Sequence, residues 1–313
     1  MRAVSVLLDG QRRAGVLHDD VVLVHEARGL DEALAAGVDL SREATVRLPR
    51  DRAVLDAPLR PPVVLCTGQN YRDHLEEKAP VPVREPEFFL KAGQTIAAPD
   101  DPIVLDPRVT AKLDYETELG VVIGRTARAV QPEAALGYVF GYLVVNDLTA
   151  RDRQVVPQET GGFSYALGPG KNFDGATRLA PWVVTADELG DPQAGLALTT
   201  TVSGEPRQAN TTANMIFPVA HIIAYLSRLL TLHPGTIIAT GTPGGTGWGM
   251  DPELGGTGRT PPGCRPGRYL ASGDVLRSEI EAVGCLEAAV VFPPQHHHNT
   301  RTPPASAARN DPA

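Results

Sequence analysis

The sequence predicts an α+β fold made mostly of β-strands, and two observations support this. Between residues 63 and 292, short runs rich in Val, Ile, Leu and Thr are separated by Gly and Pro. This spacing is typical of β architecture rather than of repeated βαβ units. One segment, 219–230, instead places its Ile and Leu residues at helical spacing. The 313 residues, 42% of them hydrophobic, are enough for one large core and a smaller module.

The first 60 residues predict a small module of β-strands. Asp9-Gly10 separates two apolar runs, which is typical of a β-hairpin, and a short helix is expected at 30–36. Three prolines within 56–62 indicate a linker. We therefore expect three parts: the module 1–60, a catalytic domain 61–292 and a low-complexity tail 293–313.

Within the larger domain, the apolar runs each predict a strand. These runs are 63–66, 119–123, 142–145, 182–185, 196–202 and 236–240. The segment 251–268 is rich in Gly and Pro and has no periodicity, so it predicts a surface loop.

Charge and cysteine content limit the classes of partner. The formal net charge of −8 weighs against nucleic acid or an anionic membrane as the main partner. The three cysteines are scattered and odd in number, which indicates neither a disulfide framework nor a metal site. No signal peptide is visible, and no apolar run approaches the roughly 18 residues that suggest a membrane span. We therefore expect a soluble, cytoplasmic protein that binds a small molecule.

The most informative stretch is 113–123, which has acids at alternating positions. In a strand, Asp114, Glu116 and Glu118 share one face, and the β-branched residues that follow favour a strand over a helix. Three neighbouring carboxylates repel one another unless a cation or water relieves the repulsion. The alternative is a solvated edge strand, which this pattern alone favours.

A second acidic signal is Asp147, which follows the apolar run 141–145. An Asp at the end of a buried strand is held rigidly enough to be a metal ligand, whereas a cap on the following turn is the alternative. Two Glu and one Asp would form an all-oxygen site. Such a site suits Mg²⁺ or Mn²⁺, with Ca²⁺ as a further option, and is a poor site for zinc.

Several motifs resemble the fumarylacetoacetate hydrolase family in their order and spacing. The likeness covers residues 60–292 and rests on Thr67-Gly68-Gln69-Asn70-Tyr71, Phe88-Phe89-Leu90-Lys91, Tyr115-Glu116-Thr117-Glu118-Leu119, Asn146-Asp147-Leu148-Thr149-Ala150-Arg151-Asp152, Gly170-Lys171-Asn172-Phe173-Asp174 and Thr240-Gly241-Thr242-Pro243.

This resemblance implies a mixed β-sandwich roll, usually in a homodimer, that acts on a small keto acid. It also implies Mg²⁺ or Mn²⁺ bound by Glu116, Glu118 and Asp147. Members of the family include acylpyruvate hydrolases, oxaloacetate decarboxylases, decarboxylase-isomerases and sugar-acid dehydratases. Membership by itself therefore does not fix the reaction.

The segment after the first motif contains a candidate catalytic pair. Asn70 is expected to cap a short helix on which His74 and Glu77, three residues apart, are neighbours. There the carboxylate can orient the imidazole and raise its basicity, as deprotonation of water requires. A solvent-exposed pair is the alternative, and Glu76 is expected to face solvent. The resemblance favours the first interpretation, because the family's hydrolytic dyad lies in the matching segment, on a lid that orders when substrate binds.

Lys171 is the candidate cation of the site. It follows Gly168-Pro169-Gly170 but lacks the Ser or Thr of a phosphate-binding loop, and a solvated lysine is the alternative. The resemblance implies a position beside the metal, where the ammonium would bind the substrate carboxylate or stabilise an enolate. Further candidates for contacts with the substrate are Lys91, Arg151, Gln154 and Thr242.

From these residues we expect a hydrolase that cleaves a carbon–carbon bond in an acylpyruvate-like 1,3-dicarbonyl acid. His74 would activate water, and Lys171 would stabilise the departing enolate. Decarboxylation of a β-keto diacid such as oxaloacetate is the main alternative, because it uses the same electron sink without a water nucleophile. Hydration or isomerisation of a keto acid is a third option, and a binding protein without turnover is a fourth.

Overall fold

The computed structural model describes residues 1–42, 44–78 and 83–293, and strands make up most of its regular structure. In chain order the strands are β1 (Arg2–Leu8), β2 (Gln11–His18), β3 (Val21–Val24), β4 (Val46–Pro49), β5 (Val54–Asp56), β6 (Val63–Gly68), β7 (Glu87–Ala92), β8 (Ile103–Val104), β9 (Leu113–Asp114), β10 (Thr117–Ile123), β11 (Val139–Asp147), β12 (Thr149–Ala150), β13 (Val155–Pro157), β14 (Phe163–Tyr165), β15 (Thr177–Leu179), β16 (Val183–Thr185), β17 (Ala197–Val202), β18 (Glu205–Thr211), β19 (Ile237–Ala239), β20 (Val275–Ile280) and β21 (Gly284–Val291).

The helices are short, apart from one that packs on the core. They are α1 (Gly29–Ala35), α2 (Arg72–Leu75), α3 (Pro132–Ala135), α4 (Arg151–Gln154), α5 (Leu167–Lys171), α6 (Ala186–Leu189) and α7 (Val219–Leu229). In α7 the buried Ile222, Ile223 and Leu226 share one face, as the helical spacing of 219–230 predicts. The predicted α+β, mostly β fold is confirmed. Among the described residues, no helix is long and apolar enough to cross a membrane.

Two sheets pack against each other to form the body of the protein. In the described part of the chain, the larger sheet has the strand order β4-β3-β2-β1-β16-β11-β10-β19-β6-β7, with β15 attached to β11 and β5 to β1. The smaller sheet has the order β18-β17-β20-β21-β8. Both are mixed, because β19 pairs with β6 and β21 with β8 in parallel while their other pairs are antiparallel. The sheets therefore form the mixed sandwich that the family resemblance implies.

Strand β10 lies inside the larger sheet, and every one of its residues is buried. Leu119 and Val121 pack in the core cluster that contains α7 and the smaller sheet. Val122 packs in a second cluster on the opposite face, with residues of β11 and α1. A strand covered on both faces must be apolar on both, which explains the continuous run of hydrophobic residues at its end.

The N-terminal strands extend the larger sheet. Arg2 pairs with Val184, so that β1 joins β16 directly. The hairpin predicted between β1 and β2 is present, with φ of 49° at Asp9 and 72° at Gly10, as a tight turn with two left-handed residues requires. The division at residue 60 stays a prediction. The predicted tail spans 293–313, and from residue 294 onward it lies outside the described residues.

The segment 251–268 is irregular, as predicted, apart from a 3₁₀ turn at Pro252–Leu254. The guanidinium of Arg268 anchors its end by donating to both carboxylate oxygens of Asp274 at 2.7 Å. The backbone N–H of Leu270 then donates to the carbonyl of Leu113 at 2.8 Å. The loop therefore returns beside the acidic segment.

The Arg268–Asp274 pair predicts a pH-dependent stability. Hydrogen bonds from Arg268 lower the pKa of Asp274 to about 2, against the opposing effect of burial. Because this pKa is below that of an unfolded Asp, the pair stabilises the protein above about pH 4 and less as the pH falls towards 2. Asp274→Asn should lower the free energy of unfolding at pH 7 by about 1–2 kcal/mol.

Urea denaturation at several pH values measures this effect. The difference between Asp274→Asn and the wild type should shrink as the pH falls below about 4. Glu287→Gln is the control, because Glu287 forms an exposed ion pair with Arg277 and should change stability by less than ~0.5 kcal/mol. A pH-independent difference at Asp274 would contradict the assignment.

Candidate active site

The acidic segment is two strands rather than the single strand that its alternation predicts. β9 ends at Asp114 and β10 begins at Thr117. Between these strands, side-chain amides accept the backbone hydrogen bonds that a neighbouring strand would otherwise accept. Asn146 Oδ1 accepts from the backbone N–H of Glu116 at 3.1 Å. Gln208 likewise accepts from the N–H of Thr117 at 3.2 Å. The backbone is thus free to leave the sheet at Glu116 without an unsatisfied N–H.

Three carboxylates meet at this break. One oxygen from each of Glu116, Glu118 and Asp147 lies within 4.8 Å of the other two, and all three side chains are buried. The alternative of a solvated edge strand is wrong, because β10 has β11 on one side and β19 on the other. Tertiary packing therefore forces the acids together away from bulk water.

Two lysines bind these carboxylates from inside the protein. The Nζ of Lys171 donates to Glu116 Oε2 at 2.5 Å and to Asp147 Oδ2 at 2.7 Å. Lys91 donates to the other oxygen of Asp147 and to the carbonyl of Ala176. Lys91 is fully buried behind Asp147 and supports that carboxylate, and its contact with a substrate stays a prediction. The Asp147 side chain points to these lysines and not to the following turn.

Arg151 is the third cation of the cluster. Its guanidinium donates to Asp114 at 2.8 Å, to Glu116 at 2.5 Å and to Gln154 Oε1 at 2.7 Å. Asp114 also accepts from the backbone N–H groups of Gly247 and of the following residue, at 2.8 and 3.0 Å. Arg151 and Gln154 are thus brought beside the carboxylate cluster as one hydrogen-bonded unit.

The buried acids outnumber the cations that contact them. The acids are Asp114, Glu116, Glu118 and Asp147, and the cations are Lys91, Arg151 and Lys171. Although burial opposes ionisation, the charges of Lys171 and Arg151 hold the pKa of Glu116 well below its usual range. Burial, together with repulsion from Asp147 and Glu116, raises the pKa of Glu118 well above its usual range. The cluster therefore disfavours ionisation of Glu118, because no further cation among the described residues is there to balance a fourth negative charge.

These residues fit a divalent cation. Glu118 accepts one hydrogen bond within the described residues, from the backbone N–H of Gly241 at 2.8 Å, which leaves an oxygen atom for a ligand. Each oxygen of Glu116 and Asp147 has a second lone pair beyond the cation that it already binds. The donor set is entirely carboxylate oxygen, which suits Mg²⁺ or Mn²⁺, and Ca²⁺ as a further option. A divalent cation would also remove the repulsion that disfavours ionised Glu118.

His74 on α2 and Glu77, two residues beyond the end of that helix, form a buried pair. The distance between His74 Nδ1 and Glu77 Oε2 is 2.7 Å, and both side chains are almost inaccessible to solvent. The alternative of a solvent-exposed pair is therefore wrong, whereas Glu76 does face solvent. The expected cap is also wrong: the Asn70 side chain instead bonds the backbone of Phe217 and the carbonyl of residue 240.

The glycine-dense loop 241–249 fixes Glu77. Backbone N–H groups of Gly245 and Thr246 donate to Glu77 Oε1 at 2.6 and 3.1 Å, and the Thr246 hydroxyl donates to Oε2 at 2.9 Å. A Cβ atom at Gly249 would lie 2.5 Å from Glu77 Oε1. The glycines let the backbone approach the carboxylate closely, which accounts for their density in this loop.

The pair and the cluster share one small cavity of about 70 Å³. This volume is several times the ~10–15 Å³ that one water molecule needs, so it accepts a small organic acid. The predicted residues that line it are His74, Glu116, Glu118, Arg151, Gln154, Lys171 and Thr242. The hydroxyl of Thr242 already donates to the carbonyl of Thr117 at 3.1 Å and accepts from Gln208 at 2.9 Å.

Sequence reasoning missed nine residues of this cavity, among them Gln69, Lys78, Tyr165 and Trp248. Lys78 could have been found, because residues 74, 77 and 78 have the i, i+3, i+4 spacing of one helical face. The two aromatic residues had no such signal, since they come from β14 and from the loop after β19 and meet α2 only in the folded chain.

A mixed β-sandwich that places buried carboxylates beside a His–Glu pair is typical of a metal-dependent enzyme. The family model described as "Fumarylacetoacetate (FAA) hydrolase C-terminal" matches residues 63–291. The chain belongs to the fumarylacetoacetate hydrolase family.

Three relatives show the extent of the similarity. The chain is 39% identical over 222 residues to 2,4-didehydro-3-deoxy-L-rhamnonate hydrolase of Sphingomonas sp. (strain SKA58), covering 71% of this chain and 70% of that protein. It is 35% identical to the structure of fumarylacetoacetate hydrolase from Exiguobacterium antarcticum, with a TM-score of 0.75 and coverage of 94% and 100%. It is 27% identical to maleylpyruvate hydrolase from Sphingobium sp. SYK-6 with manganese(II) and pyruvate, with a TM-score of 0.71 and coverage of 93% and 99%.

The cluster predicts that Glu118→Gln separates metal binding from stability. The amide keeps the shape of the side chain but cannot ionise. It therefore removes the carboxyl group whose ionisation the cluster disfavours. The metal-free variant should be at least as stable as the wild type at pH 8. At a metal concentration 100-fold above its Kd, the wild type should gain about 2.7 kcal/mol, and the variant far less.

Thermal unfolding with and without Mg²⁺ or Mn²⁺, after treatment with a chelator, measures both effects. Glu133→Gln, at an exposed position of α3, is the matched control and should retain the full metal-dependent gain. A normal gain in Glu118→Gln would remove Glu118 from the metal site.

Proposed function

We propose that the protein is a divalent-metal-dependent hydrolase that cleaves a carbon–carbon bond in an acylpyruvate-like 1,3-dicarbonyl acid. The observation on which this rests is the shared cavity: a buried His74–Glu77 pair opens onto the same small space as Glu116, Glu118 and Lys171. Hydrolysis of such a bond requires both a base for water and an electron sink, and the cavity offers both.

The names of two relatives agree with this substrate class. A 2,4-didehydro-3-deoxy sugar acid and maleylpyruvate are both 2-oxo acids with a second carbonyl two carbons away. When bound at the carboxylate cluster, a divalent cation supplies Lewis-acid polarisation of a substrate oxygen. The remaining chemistry falls to side chains of this protein.

The position of Glu77 determines what His74 can do. A carboxylate only accepts hydrogen bonds, so the short contact assigns the proton to His74 Nδ1 and leaves the lone pair of Nε2 for a proton from water. Three donors from Gly245 and Thr246 hold Glu77 in place, so the imidazole keeps this orientation.

Cleavage then proceeds in three steps: addition of water, cleavage of the carbon–carbon bond and return of the proton. Water loses a proton to His74 and adds to the carbonyl farther from the substrate carboxylate. The bond between that carbon and the neighbouring methylene breaks, and its electron pair passes to the methylene as an enolate stabilised by the Lys171 ammonium. The proton on His74 returns to the methylene carbon, giving a carboxylic acid and a 2-oxo acid. Homodimer formation and a cytoplasmic location stay predictions.

The two leading reactions predict different effects of His74→Ala. Hydrolysis of an acylpyruvate should fall by about 10²–10⁴-fold, the usual contribution of a general base. Decarboxylation of oxaloacetate, if present, should fall much less, because it needs no water nucleophile. Glu77→Gln should act in the same direction but more mildly, since the imidazole remains. Pyruvate formation and CO₂ release at saturating metal measure the two reactions.

His221→Ala is the control for loss of an imidazole, because His221 is exposed and stacks on Phe217 outside the cavity. Equal losses in both reactions would indicate that His74 has a shared role, such as ordering α2. Full acylpyruvate activity in His74→Ala would refute the proposed role of the dyad and, with it, the preference for hydrolysis.

A further inference from the structure

Lys78 lines the same cavity as the catalytic residues but has no part in the chemistry proposed above. Its side chain is buried, and its Nζ lies 5.0 Å from the ring centre of Trp248 and 5.4 Å from that of Tyr165. Both rings line the same cavity. Contacts of this kind between a cation and an aromatic face stabilise the charge.

This ammonium has no anionic partner in the described residues. Neither an ion pair nor a hydrogen bond to Nζ is formed within 1–42, 44–78 and 83–293, whereas Lys91, Lys112 and Lys171 each bind a carboxylate. The residues that follow, 79–82, are Ala-Pro-Val-Pro and have no acidic side chain. The nearby Glu87 accepts a hydrogen bond from Gln69 at 2.7 Å.

A buried cation without an anion is unfavourable for folding. Burial lowers the pKa of Lys78 to about 8, against the opposing charge of Glu87. The ammonium form still predominates at neutral pH. A bound carboxylate that faces Nζ would relieve this cost, and the cavity is the path by which such a group arrives.

We propose that Lys78 binds a second carboxylate of the substrate, so that the protein prefers 2,4-dioxo diacids to acylpyruvates with an uncharged tail. This inference rests on the proposed function, because Glu116, Glu118 and Lys171 would bind the 2-oxo acid end. Lys78, beside the rings of Tyr165 and Trp248 in the same cavity, would then be a specificity-determining residue.

The test compares two substrates that differ only at the tail. In 2,4-dioxoheptanedioate a carboxylate replaces the terminal methyl of 2,4-dioxoheptanoate, and both release pyruvate. The wild type should have the higher kcat/KM for the diacid. Lys78→Met should lower the ratio of the two kcat/KM values by about 10–100-fold, as expected for the loss of one charge-assisted hydrogen bond.

Two further variants make the result specific. Lys78→Arg keeps the charge and should retain more of the diacid preference than Lys78→Met. Lys112→Met removes the same charge from a lysine that binds Asp251 outside the cavity, and the ratio should stay at the wild-type value. A wild type that prefers the uncharged tail, or a ratio within threefold of wild type in Lys78→Met, would overturn the proposal.

A binding measurement separates this proposal from the proposed hydrolysis. 2-Oxohexanedioate and 2-oxohexanoate again differ by carboxylate against methyl, and neither has the second carbonyl that cleavage needs. Calorimetry on the Mg²⁺-loaded full chain should show tighter binding of the diacid in the wild type and loss of this difference in Lys78→Met and Lys78→Gln. If neither dioxo acid releases pyruvate, the hydrolase proposal fails while this comparison still decides the role of Lys78. Equal affinities in the wild type would overturn that role.

Discussion

The buried ion network around Glu116 is the constraint on which the rest of the site depends. The Glu116 carboxylate binds both Arg151 and Lys171, and these cations in turn bind Asp114 and Asp147. Water scarcely reaches any of these groups, so removal of one partner leaves a buried charge, at a cost of roughly 3–5 kcal/mol. The network therefore links β9, the segment between β9 and β10, β11, α4 and α5. It also explains why the sheet breaks between β9 and β10, where side-chain amides replace backbone partners.

One loop orients both halves of the site. Backbone N–H groups of 241–249 donate to Glu77, which orients the imidazole, and to Asp114, which belongs to the ion network. Glycine is required here for a specific reason. Gly245 has φ of 105°, and a Cβ atom at that position would lie 2.0 Å from the carbonyl oxygen of Arg207. The His74–Glu77 pair and the ion network are consequently held by backbone hydrogen bonds from the same loop.

Two ionisable groups of the cavity lack a balancing partner in the described residues. Glu118, when ionised, has no cation of its own in the carboxylate cluster, and Lys78 is a buried cation beside two aromatic rings. Each is unfavourable for folding, and each is complementary to a ligand: a divalent cation in the first case and a carboxylate in the second. Strongly perturbed groups in a cavity are typical of functional sites, where stability is lost in exchange for binding.

The sequence by itself determined the six apolar strands predicted in the larger domain, the first hairpin, helix α7 and the set of carboxylates, because these depend on local periodicity and residue type. It also contained the motifs that identify the family. Only the tertiary structure decided that the acids are buried, since this follows from the place of β10 between β11 and β19. It likewise decided that Lys91 supports Asp147 from behind and that Glu77 is bound by a loop 168 residues away. Burial and partners across such distances arise from packing of the whole chain, which no local pattern records.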